Sequence, residues 1–397
     1  MKYFIQMLII AFLSLCLFVA INAVALLFIP DAPQDPESRY FISVLSERGV
    51  EISARVQGVQ DRDTLLEIMK PPGLRAHPVL QFGPGAATKY YSVSLEGVRK
   101  DAGWSDEFLA GLLGQIGRHT FVMGGSTTFG HGVKDSDTVV SILNRTASQP
   151  GHFFLNFGTQ SYDSVREIQK LNNLLSKGYR PGRVIFIDGL NDISTRWRCP
   201  YRLQDCFRHL EFVGGIPDPS LREQLLWKLP IVQALAPRNT QIRWEDLIDG
   251  QFSPYLDSSV RPEMAIPPSS TVVDRLADRL SSDYLTQLDY LKELAEAFDF
   301  ELIVIIHPIG FLQQGNPFVE PEFFDDDSYI AWSDMFRHFR TALSQRANVY
   351  DCSSAITEPE SSYVDASHFS ARGAAKLADC IAGVLDQRRT TGRQPPD

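Results

Sequence analysis

From residue 119 onward, short runs rich in β-branched and aromatic residues alternate with longer stretches of helical pattern. The runs that predict strands are Thr120–Met123, His152–Phe157, Arg183–Asp188, Glu301–Ile306 and Asn348–Tyr350. The stretches that predict helices are Ser136–Ala147, Ser164–Ser176, Thr271–Phe298, Tyr329–Gln345 and Ala371–Leu385. Strands that alternate with helices are joined by right-handed crossovers and build a parallel sheet with helices on both faces. The sequence therefore predicts an α/β domain of three layers, α/β/α, around a five-stranded parallel sheet.

Two regions outside this alternation set the predicted domain boundaries. Residues 30–117 begin with a polar, proline-bearing linker and continue as an accessory region without an assignable pattern. Residues 194–270 are rich in Pro, Arg and Trp, and they predict a large insertion over the sheet after the third strand. The α/β domain is expected to cover 118–390, with this insertion inside it.

The N-terminal run from Tyr3 to Ile29 contains no charged residue. At ~1.5 Å rise per residue, a helix of this length spans the ~30 Å hydrocarbon core of a bilayer. The alternative is a cleaved secretory signal, although the run is longer than the ~7–15 residues of a signal core. Lys2 precedes the run and acidic residues follow it, which favours a location of the remaining chain outside the cytoplasm. We expect a single-pass transmembrane helix at 3–29 in the inner (cytoplasmic) membrane, with the α/β domain facing the periplasm or the cell exterior.

Charge and cysteine content limit the partners of the chain. The net charge of -10 argues against a nucleic-acid partner, because proteins that bind nucleic acid carry basic surfaces. Four cysteines lie beyond the predicted anchor, and they permit either two disulfides, with Cys199 and Cys206 closing a small loop, or four ordinary thiols. The sequence shows no Cys-x-x-Cys pair and no clustered histidines, so we predict no metal site and no cofactor.

A serine with glycines before it follows the first predicted strand, in Val122-Met-Gly-Gly-Ser-Thr-Thr-Phe-Gly-His-Gly132. In open parallel sheets, functional groups gather at the carboxyl ends of the strands. The two glycines before Ser126 permit a tight turn from strand to helix that leaves the hydroxyl exposed. Thr128 occupies the last glycine position of a Gly-x-Ser-x-Gly nucleophile elbow, so this segment is not that motif.

Two polar segments follow the second and third predicted strands. They are Asn156-Phe-Gly-Thr-Gln-Ser-Tyr162 and Gly189-Leu-Asn-Asp192. The amide of Asn191 can donate an N–H group to an oxyanion that develops during acyl transfer. The alternative for the Asn-Asp pair is a simple loop turn.

The segment Asp365-Ala-Ser-His368 lies between the last predicted strand and the last predicted helix. A serine nucleophile needs an adjacent base, which a third group must orient. A separation of three residues lets one loop hold both the imidazole and the carboxylate. Ser370 is placed to cap the following helix. An isolated Asp-x-x-His pair is also typical of a surface turn, so its position relative to the other segments matters.

The four segments follow the first, second, third and fifth strands, where one crevice would form, and in this order they resemble the blocks of the SGNH (GDSL-type) hydrolases. The resemblance runs from about His119 to Leu385, with the insertion unmatched. Tyr90–Lys100 is also similar to a segment that precedes the serine block in bacterial relatives. The resemblance implies a flavodoxin-like SGNH fold.

By this resemblance, Ser126 is the nucleophile, His368 is the base and Asp365 is the acid that orients the base. Asn191 is the side-chain oxyanion donor.

Two positions depart from the family pattern. Gly125 stands where an aspartate usually precedes the serine. Ser161 stands at the position of the glycine whose backbone N–H group completes the oxyanion hole, and Gly158 is the neighbouring candidate if the loop is shifted. A serine still has a backbone N–H group to donate, so catalysis remains compatible with this sequence.

Three further residues are candidates for the same rim. His307 follows the fourth predicted strand, and Trp197 and His131 lie close to the third and first blocks. Each can contact substrate, and the alternative for each is a packing role.

The resemblance implies a membrane-anchored serine esterase that hydrolyses O-acyl esters, above all O-acetyl esters, on a cell-surface polysaccharide or another glycan, or on a small ester. The alternative is an O-acyltransferase, in which the same triad passes the acyl group to a glycan hydroxyl instead of water. A third interpretation is a catalytically silent glycan-binding or assembly protein, which the departure at Ser161 favours and the intact serine, aspartate and histidine disfavour.

Overall fold

The computed structural model describes residues 47–69, 75–77, 81–83, 89–198, 269–319 and 327–390, together with residues 14, 16–22, 24, 321 and 324. The chain divides into two compact units. One unit comprises Met1–Asp35 and Phe207–Ile266, and only its pieces between 14 and 24 are described. The other unit comprises Pro36–Cys206 and Pro267–Asp397, and it contains every element and site discussed below.

Two predicted segments fall largely outside the described residues. Within the predicted transmembrane segment 3–29, residues 16–22 are helical. No helix in the described part of the chain combines the length and the apolar character that crossing a bilayer requires. Of the predicted insertion 194–270, only 194–198 and 269–270 are described, so the predicted pair Cys199 and Cys206 lies outside the described residues as well.

The described part of the second unit contains eleven α-helices and seven strands. The helices are α1 (Glu47–Gln57), α2 (Arg62–Met69), α3 (Asp106–Leu113), α4 (Ser126–Phe129), α5 (Val139–Thr146), α6 (Ser164–Ser176), α7 (Leu190–Arg198), α8 (Ser270–Phe298), α9 (Asp327–Leu343), α10 (Pro359–Ser362) and α11 (Ala371–Thr390). The strands are β1 (Arg75–His77), β2 (Gln81–Gly83), β3 (Thr120–Gly124), β4 (Phe154–Asn156), β5 (Arg183–Asp188), β6 (Glu301–Ile306) and β7 (Val349–Asp351).

Five of the strands form one parallel sheet in the order β4-β3-β5-β6-β7. The chain passes from β3 outward to β4 and then returns past β3 to β5, so the direction of winding reverses at β3. In open α/β sheets, ligands bind beside the carboxyl ends of the strands at such a reversal. The strand order therefore places the functional crevice beside the ends of β3 and β5.

Helices cover both faces of this sheet. Because crossovers are right-handed, α5, which joins β3 to β4, lies on the opposite face from α6, α8 and α9, whose crossovers run the other way. On one face α11 packs against α5, and on the other α8 packs against α9. Every residue of β5 is buried, as expected for a central strand covered on both sides. The predicted α/β fold with a five-stranded parallel sheet is confirmed.

Several predicted boundaries need correction. The predicted helix Ser136–Ala147 is wrong at its start, where Asp135–Asp137 forms a 3-10 turn and α5 begins at Val139. The reason is the cap: Thr138 Oγ1 accepts the N–H group of Ser141 at 3.0 Å, which fixes the first turn of α5. The predicted strand His152–Phe157 is reduced to β4, whose pairing with β3 covers three residues.

The accessory region, for which the sequence predicts no elements, contains α1, α2, α3 and the β1–β2 hairpin. The part of this region around Arg99 is joined to the sheet. The N–H group of Arg99 donates to the carbonyl of Asn156 at 2.9 Å, in an antiparallel bridge beside β4. Because an edge strand presents unpaired backbone groups, this bridge satisfies part of the exposed edge of β4.

Candidate active site

The candidate nucleophile, Ser126, is the first residue of the short helix α4, directly after β3. Gly124 has φ 155°, and a Cβ atom there would lie 2.0 Å from Thr128 Oγ1. A Cβ atom on Gly125 would lie 2.2 Å from Asn191 Nδ2. Both glycines are therefore required by close approach, and together they turn the chain sharply. Ser126 is half-buried, whereas the residues on either side of it are buried.

The structure brings His368 to this hydroxyl across 242 positions of sequence. His368 Nε2 lies 2.8 Å from Ser126 Oγ, and His368 Nδ1 lies 2.6 Å from Asp365 Oδ2. Because an ionised carboxylate only accepts hydrogen bonds, Nδ1 carries the hydrogen and donates it in a hydrogen bond to Asp365. The Nε2 atom is then the acceptor for the Ser126 hydroxyl, which is the arrangement a general base needs.

The loop between β7 and α11 supports Asp365 by its own backbone. Asp365 Oδ1 accepts the N–H groups of Ser367 and His368, each at 2.7 Å. Burial alone would raise the pKa of Asp365, but the neighbouring His368 and these hydrogen bonds lower it to about 2. Ser370 Oγ accepts the N–H group of Gly373 at 3.3 Å, so the predicted cap on the last helix is present.

Asn191 lies in the first turn of α7, not in the loop turn that was the alternative. Its Nδ2 atom donates to the carbonyl of Tyr162 at 2.6 Å, and the same amide lies against Gly125. One amide N–H group thus anchors the side chain, and the second remains for a ligand beside Ser126.

The two backbone candidates for the oxyanion hole differ in their hydrogen bonding. The N–H group of Gly158 donates to Asn156 Oδ1 at 3.0 Å and is therefore engaged within its loop. Ser161 has φ 59°, in the left-handed region that favours glycine, which explains why a glycine suits this position. Among the residues that the structure describes, the N–H group of Ser161 meets no acceptor. Ser161 is therefore the better placed of the two.

His131 lies directly against the candidate base. The ring centroids of His131 and His368 are 4.5 Å apart. Gln160 Nε2 donates to His131 Nδ1 at 2.7 Å, which links the segment after α4 to the loop that carries Ser161. Burial, and then the neighbouring His368, lower the pKa of His131 to about 3, so its ring is neutral at neutral pH.

The other two predicted contact residues are buried. Trp197 is 1% exposed, and its ring centroid lies 5.9 Å from that of Trp332. His307 is 3% exposed, its Nδ1 atom lies 2.7 Å from the carbonyl oxygen of Pro308, and its ring stands edge-on to Phe369. Both side chains therefore make packing contacts, and their predicted contact with substrate stays a prediction.

Two buried basic side chains, to which the sequence analysis assigned no role, brace the loops around Ser126. The guanidinium of Arg99 donates to the carbonyls of Phe129 at 2.9 Å, of Val133 at 2.6 Å and of Gly130. Lys170 Nζ donates to the carbonyl of Phe157 at 2.7 Å. Arg99 lies in Tyr90–Lys100, the segment that resembles one in bacterial relatives, whereas a lysine in an amphipathic helix gives no such signal.

A buried acidic cluster, formed by Asp163, Glu167, Asp188 and Asp192, lies between α6, the end of β5 and the start of α7. Burial raises the pKa of Glu167 and of Asp192 well above the usual range, and the charge of Asp188 adds to both shifts. Burial also raises the pKa of Asp188, to about 6, although hydrogen bonds with Glu167 and Tyr284 oppose the shift. Within this cluster, Asp192 Oδ1 accepts the N–H group of Ser164 at 3.1 Å, which ties the segment that carries Asn191 to the start of α6.

A disulfide joins Cys352, just after β7, to Cys380 in α11. The 28-residue separation encloses both Asp365 and His368. Of the two open alternatives for the cysteines, a disulfide is therefore present for this pair.

No protein-family model matches the chain, and no curated protein sequence matches it either. Solved structures to which it is similar include a member of the lipolytic protein G-D-S-L family from Veillonella parvula, at 12% identity and a TM-score of 0.35. They also include a lipase from a goat rumen metagenome, at 12% identity and a TM-score of 0.38, and an acetylxylan esterase from Geobacillus stearothermophilus, at 12% identity and a TM-score of 0.34. The matches cover 68%, 67% and 67% of this chain and 99%, 96% and 93% of those chains. Sequence identities and TM-scores this low carry no functional assignment, so the function has to be argued from the site itself.

Proposed function

We propose that the chain is a serine ester hydrolase of the SGNH type, with Ser126, His368 and Asp365 as its catalytic triad. The observation that carries the proposal is the continuous hydrogen-bonded series from Ser126 Oγ through both nitrogens of His368 to Asp365 Oδ2. The resemblance of the four sequence segments supports the same conclusion.

The first half of the reaction forms an acyl-enzyme. Ser126 Oγ attacks the ester carbonyl carbon while its proton passes to His368 Nε2. Asp365 keeps the other ring nitrogen protonated and stabilises the imidazolium that results. Collapse of the tetrahedral intermediate expels the alkoxide, which takes the proton from His368 Nε2 and leaves as the alcohol. Water then repeats these steps on the acyl-enzyme, with His368 as the base, and releases the carboxylic acid.

The negative charge on the tetrahedral intermediate needs donors beside Ser126. Three groups are candidates: the second amide N–H group of Asn191, the backbone N–H group of Ser161, and the N–H group of Ser126 itself at the start of α4. Preorganised donors of this kind contribute ~2.7–4 kcal/mol each to the stability of the transition state. Asn191 is the best supported, because its amide is already fixed by Tyr162.

For the substrate, we propose O-acyl esters, in particular O-acetyl esters, on a cell-surface glycan. The support is the family resemblance together with the apolar N-terminal run, which favours an exported and membrane-anchored enzyme. The site itself is compatible with any ester whose carbonyl reaches Ser126. The predicted localisation at the cytoplasmic membrane is part of this proposal.

The test uses the full-length protein and its Ser126→Ala variant. Wild type should hydrolyse a small acetyl ester and should be labelled covalently by a fluorophosphonate probe, whereas S126A should fall to the uncatalysed background in both assays. Ser136→Ala, a serine replacement in the 3-10 turn, is the matched control and should keep both signals. Full activity in S126A would rule out the assignment. An active wild type that moves acetyl groups to an added glycan, without freeing acetate, would identify an O-acyltransferase.

A catalytically silent protein would give a different pattern in the same experiment. Neither ester hydrolysis nor probe labelling would exceed the S126A background, although the protein would still bind glycan. A peptide map of the labelled protein identifies whether the probe is attached to Ser126.

A further inference from the structure

Three metal-binding side chains meet at the triad. His131, Asp365 and His368 each offer one ligand atom, and these atoms all lie within 4.8 Å of one another. Asp365 and His368 are buried, and His131 is half-buried. His131 follows α4, while the other two belong to the loop between β7 and α11, so sequence spacing gives no hint of this cluster.

We propose that His131, Asp365 and His368 form a binding site for a zinc ion, and that the ion switches off the Ser126 site when it is bound. The binding half of this inference stands on the geometry alone. The inhibitory half rests on the proposed function.

The ligand set suits zinc. Two imidazoles and one carboxylate form a mixed nitrogen and oxygen set, which Zn²⁺ accepts in sites that keep a fourth position open. Mg²⁺ and Ca²⁺ prefer sites made of oxygen ligands, so two imidazoles disfavour them. The fourth position would be filled by water or by the hydroxyl of Ser126, which lies 2.8 Å from His368 Nε2.

The site needs only a small closure to bind the ion. Zinc bonds of about 2.0–2.1 Å place tetrahedral ligand atoms roughly 3.4 Å apart. The three ligand atoms, which now lie within 4.8 Å of one another, therefore have to move closer together by a distance that side-chain rotation can supply. His131 is the side chain that can adjust, because it is half-buried and its partner, the amide of Gln160, is itself a side chain that can move with it. An amide serves either protonation state of the ring, since it offers N–H donors at one end and a carbonyl at the other.

Metal binding at this place must abolish the base. His368 uses Nδ1 to hold Asp365 and Nε2 to hold Ser126. A metal on Nδ1 replaces the proton that orients the ring, and a metal on Nε2 occupies the lone pair that accepts the serine proton. Neither mode releases a proton, because the neutral ring keeps its one N–H group: with the metal on Nδ1 that proton moves to Nε2, and with the metal on Nε2 it stays on Nδ1. In either case Nε2 has no lone pair for the serine proton, and Ser126 loses its activation.

The test measures zinc binding directly. Isothermal titration of metal-free, full-length protein with ZnCl₂ is compared between wild type, His131→Asn and His131→Gln. Loss of a supporting residue around a metal ligand costs ~10–100-fold in affinity, so loss of a ligand should cost at least ~10-fold. The matched control is His338→Asn in α9, because His338 also faces a carboxylate, with Nε2 3.8 Å from Asp274. This control should bind zinc like wild type, and MgCl₂ should give no heat that depends on His131.

The second measurement is fluorophosphonate labelling of wild type with and without zinc, each variant being compared with its own metal-free rate. Zinc should slow labelling of wild type, EDTA should restore it, and both histidine variants should resist the ion. Equal zinc affinity in wild type and both variants, with all three proteins folded in thermal melts, would overturn the site. Zinc binding that depends on His131 but leaves labelling unchanged would overturn the inhibitory half. Zinc binding in a protein that is never labelled would preserve the site and reject the proposed function.

Discussion

Asp365 and the buried acidic cluster are shielded from solvent to the same degree, yet their carboxyl groups behave in opposite ways. Asp365 is 2% exposed, and Glu167, Asp188 and Asp192 are 2%, 3% and 2% exposed. The pKa of Asp365 is lowered to about 2, whereas the pKa values of the other three are raised.

The difference lies in the partners. Asp365 accepts two backbone N–H groups and the ring of His368, all of which favour the ionised form. Glu167 and Asp188 face each other, and among the described residues no backbone N–H group or basic side chain donates to Glu167 Oε2 or Asp188 Oδ1. Burial therefore does not decide whether a carboxyl group is charged. The number of donors aimed at it does, and Asp365 has more of them than Glu167 or Asp188.

The two regions should also respond to pH with opposite sign. A carboxyl group whose pKa is lowered on folding contributes stability that is lost as pH falls through the folded value. A carboxyl group whose pKa is raised on folding binds its proton more tightly in the folded state. Its contribution to stability therefore falls as pH rises above its pKa in the unfolded chain, about 4. For Asp188 this loss is complete above its folded pKa of about 6.

The largest expected effect comes from the same substitution in the two regions. Asp365→Asn should lower kcat by about four orders of magnitude, because a neutral amide no longer fixes the imidazole in the protonation state that the base requires. Asp188→Asn should retain the activity, because its amide can still accept from Tyr284 and donate to Glu167. Steady-state hydrolysis of a small acetyl ester measures both. Similar losses in the two variants would mean that both carboxylates serve the reaction.

The disulfide gives the next largest effect, because it closes the segment that holds Asp365 and His368. Replacing both Cys352 and Cys380 with alanine should lower the free energy of unfolding by ~3–4 kcal/mol, from the chain entropy of a loop with 28-residue separation. Urea unfolding at pH 5 and pH 8 measures this loss. It should be equal at both pH values, since no titrating group is removed. A loss confined to one pH would connect the disulfide to a carboxyl group instead.

Glu167→Gln should remove part of the pH dependence of stability that the acidic cluster causes. The amide cannot ionise and can still donate to Asp188. The decline in the free energy of unfolding between pH 5 and pH 8 should therefore be smaller in the variant, because the raised pKa of Glu167 no longer contributes to it. Urea unfolding of both proteins at several pH values checks this. An unchanged slope would show that Glu167 is ionised in the folded protein.

Tyr284→Phe should have the smallest effect. The hydroxyl of Tyr284 donates to Asp188 and lowers the pKa of that carboxyl group. Its removal should destabilise the protein by about 1 kcal/mol, more at pH 8 than at pH 5, because the ionised carboxylate loses a donor. Parallel melts of Y284F and wild type at the two pH values measure the difference. A larger loss at pH 5 would mean that the Tyr284 hydroxyl stabilises the protonated form of Asp188, which contradicts its lowering of that pKa.

Much of the fold was readable because it depends on local pattern. The strands Arg183–Asp188 and Glu301–Ile306 and the helix Ser164–Ser176 are predicted to the residue, since runs of apolar residues and helical spacing report burial within one element. The order of the four segments also predicts that Ser126, Asp365 and His368 meet, because parallel strands end at one edge of the sheet. Boundaries set by a single cap, such as Thr138 before α5, are not visible in such patterns.

By itself, therefore, the sequence determined the β/α alternation and the residues that the carboxyl edge of the sheet carries. Only the tertiary structure decided that His131 stacks against His368, that Arg99 and Lys170 brace the loops, and which carboxyl groups keep their protons. The physical reason is that these properties depend on groups far apart in the chain and on the loss of solvent around them. Strand order brings such groups together, and the donors present at each place then fix the charge.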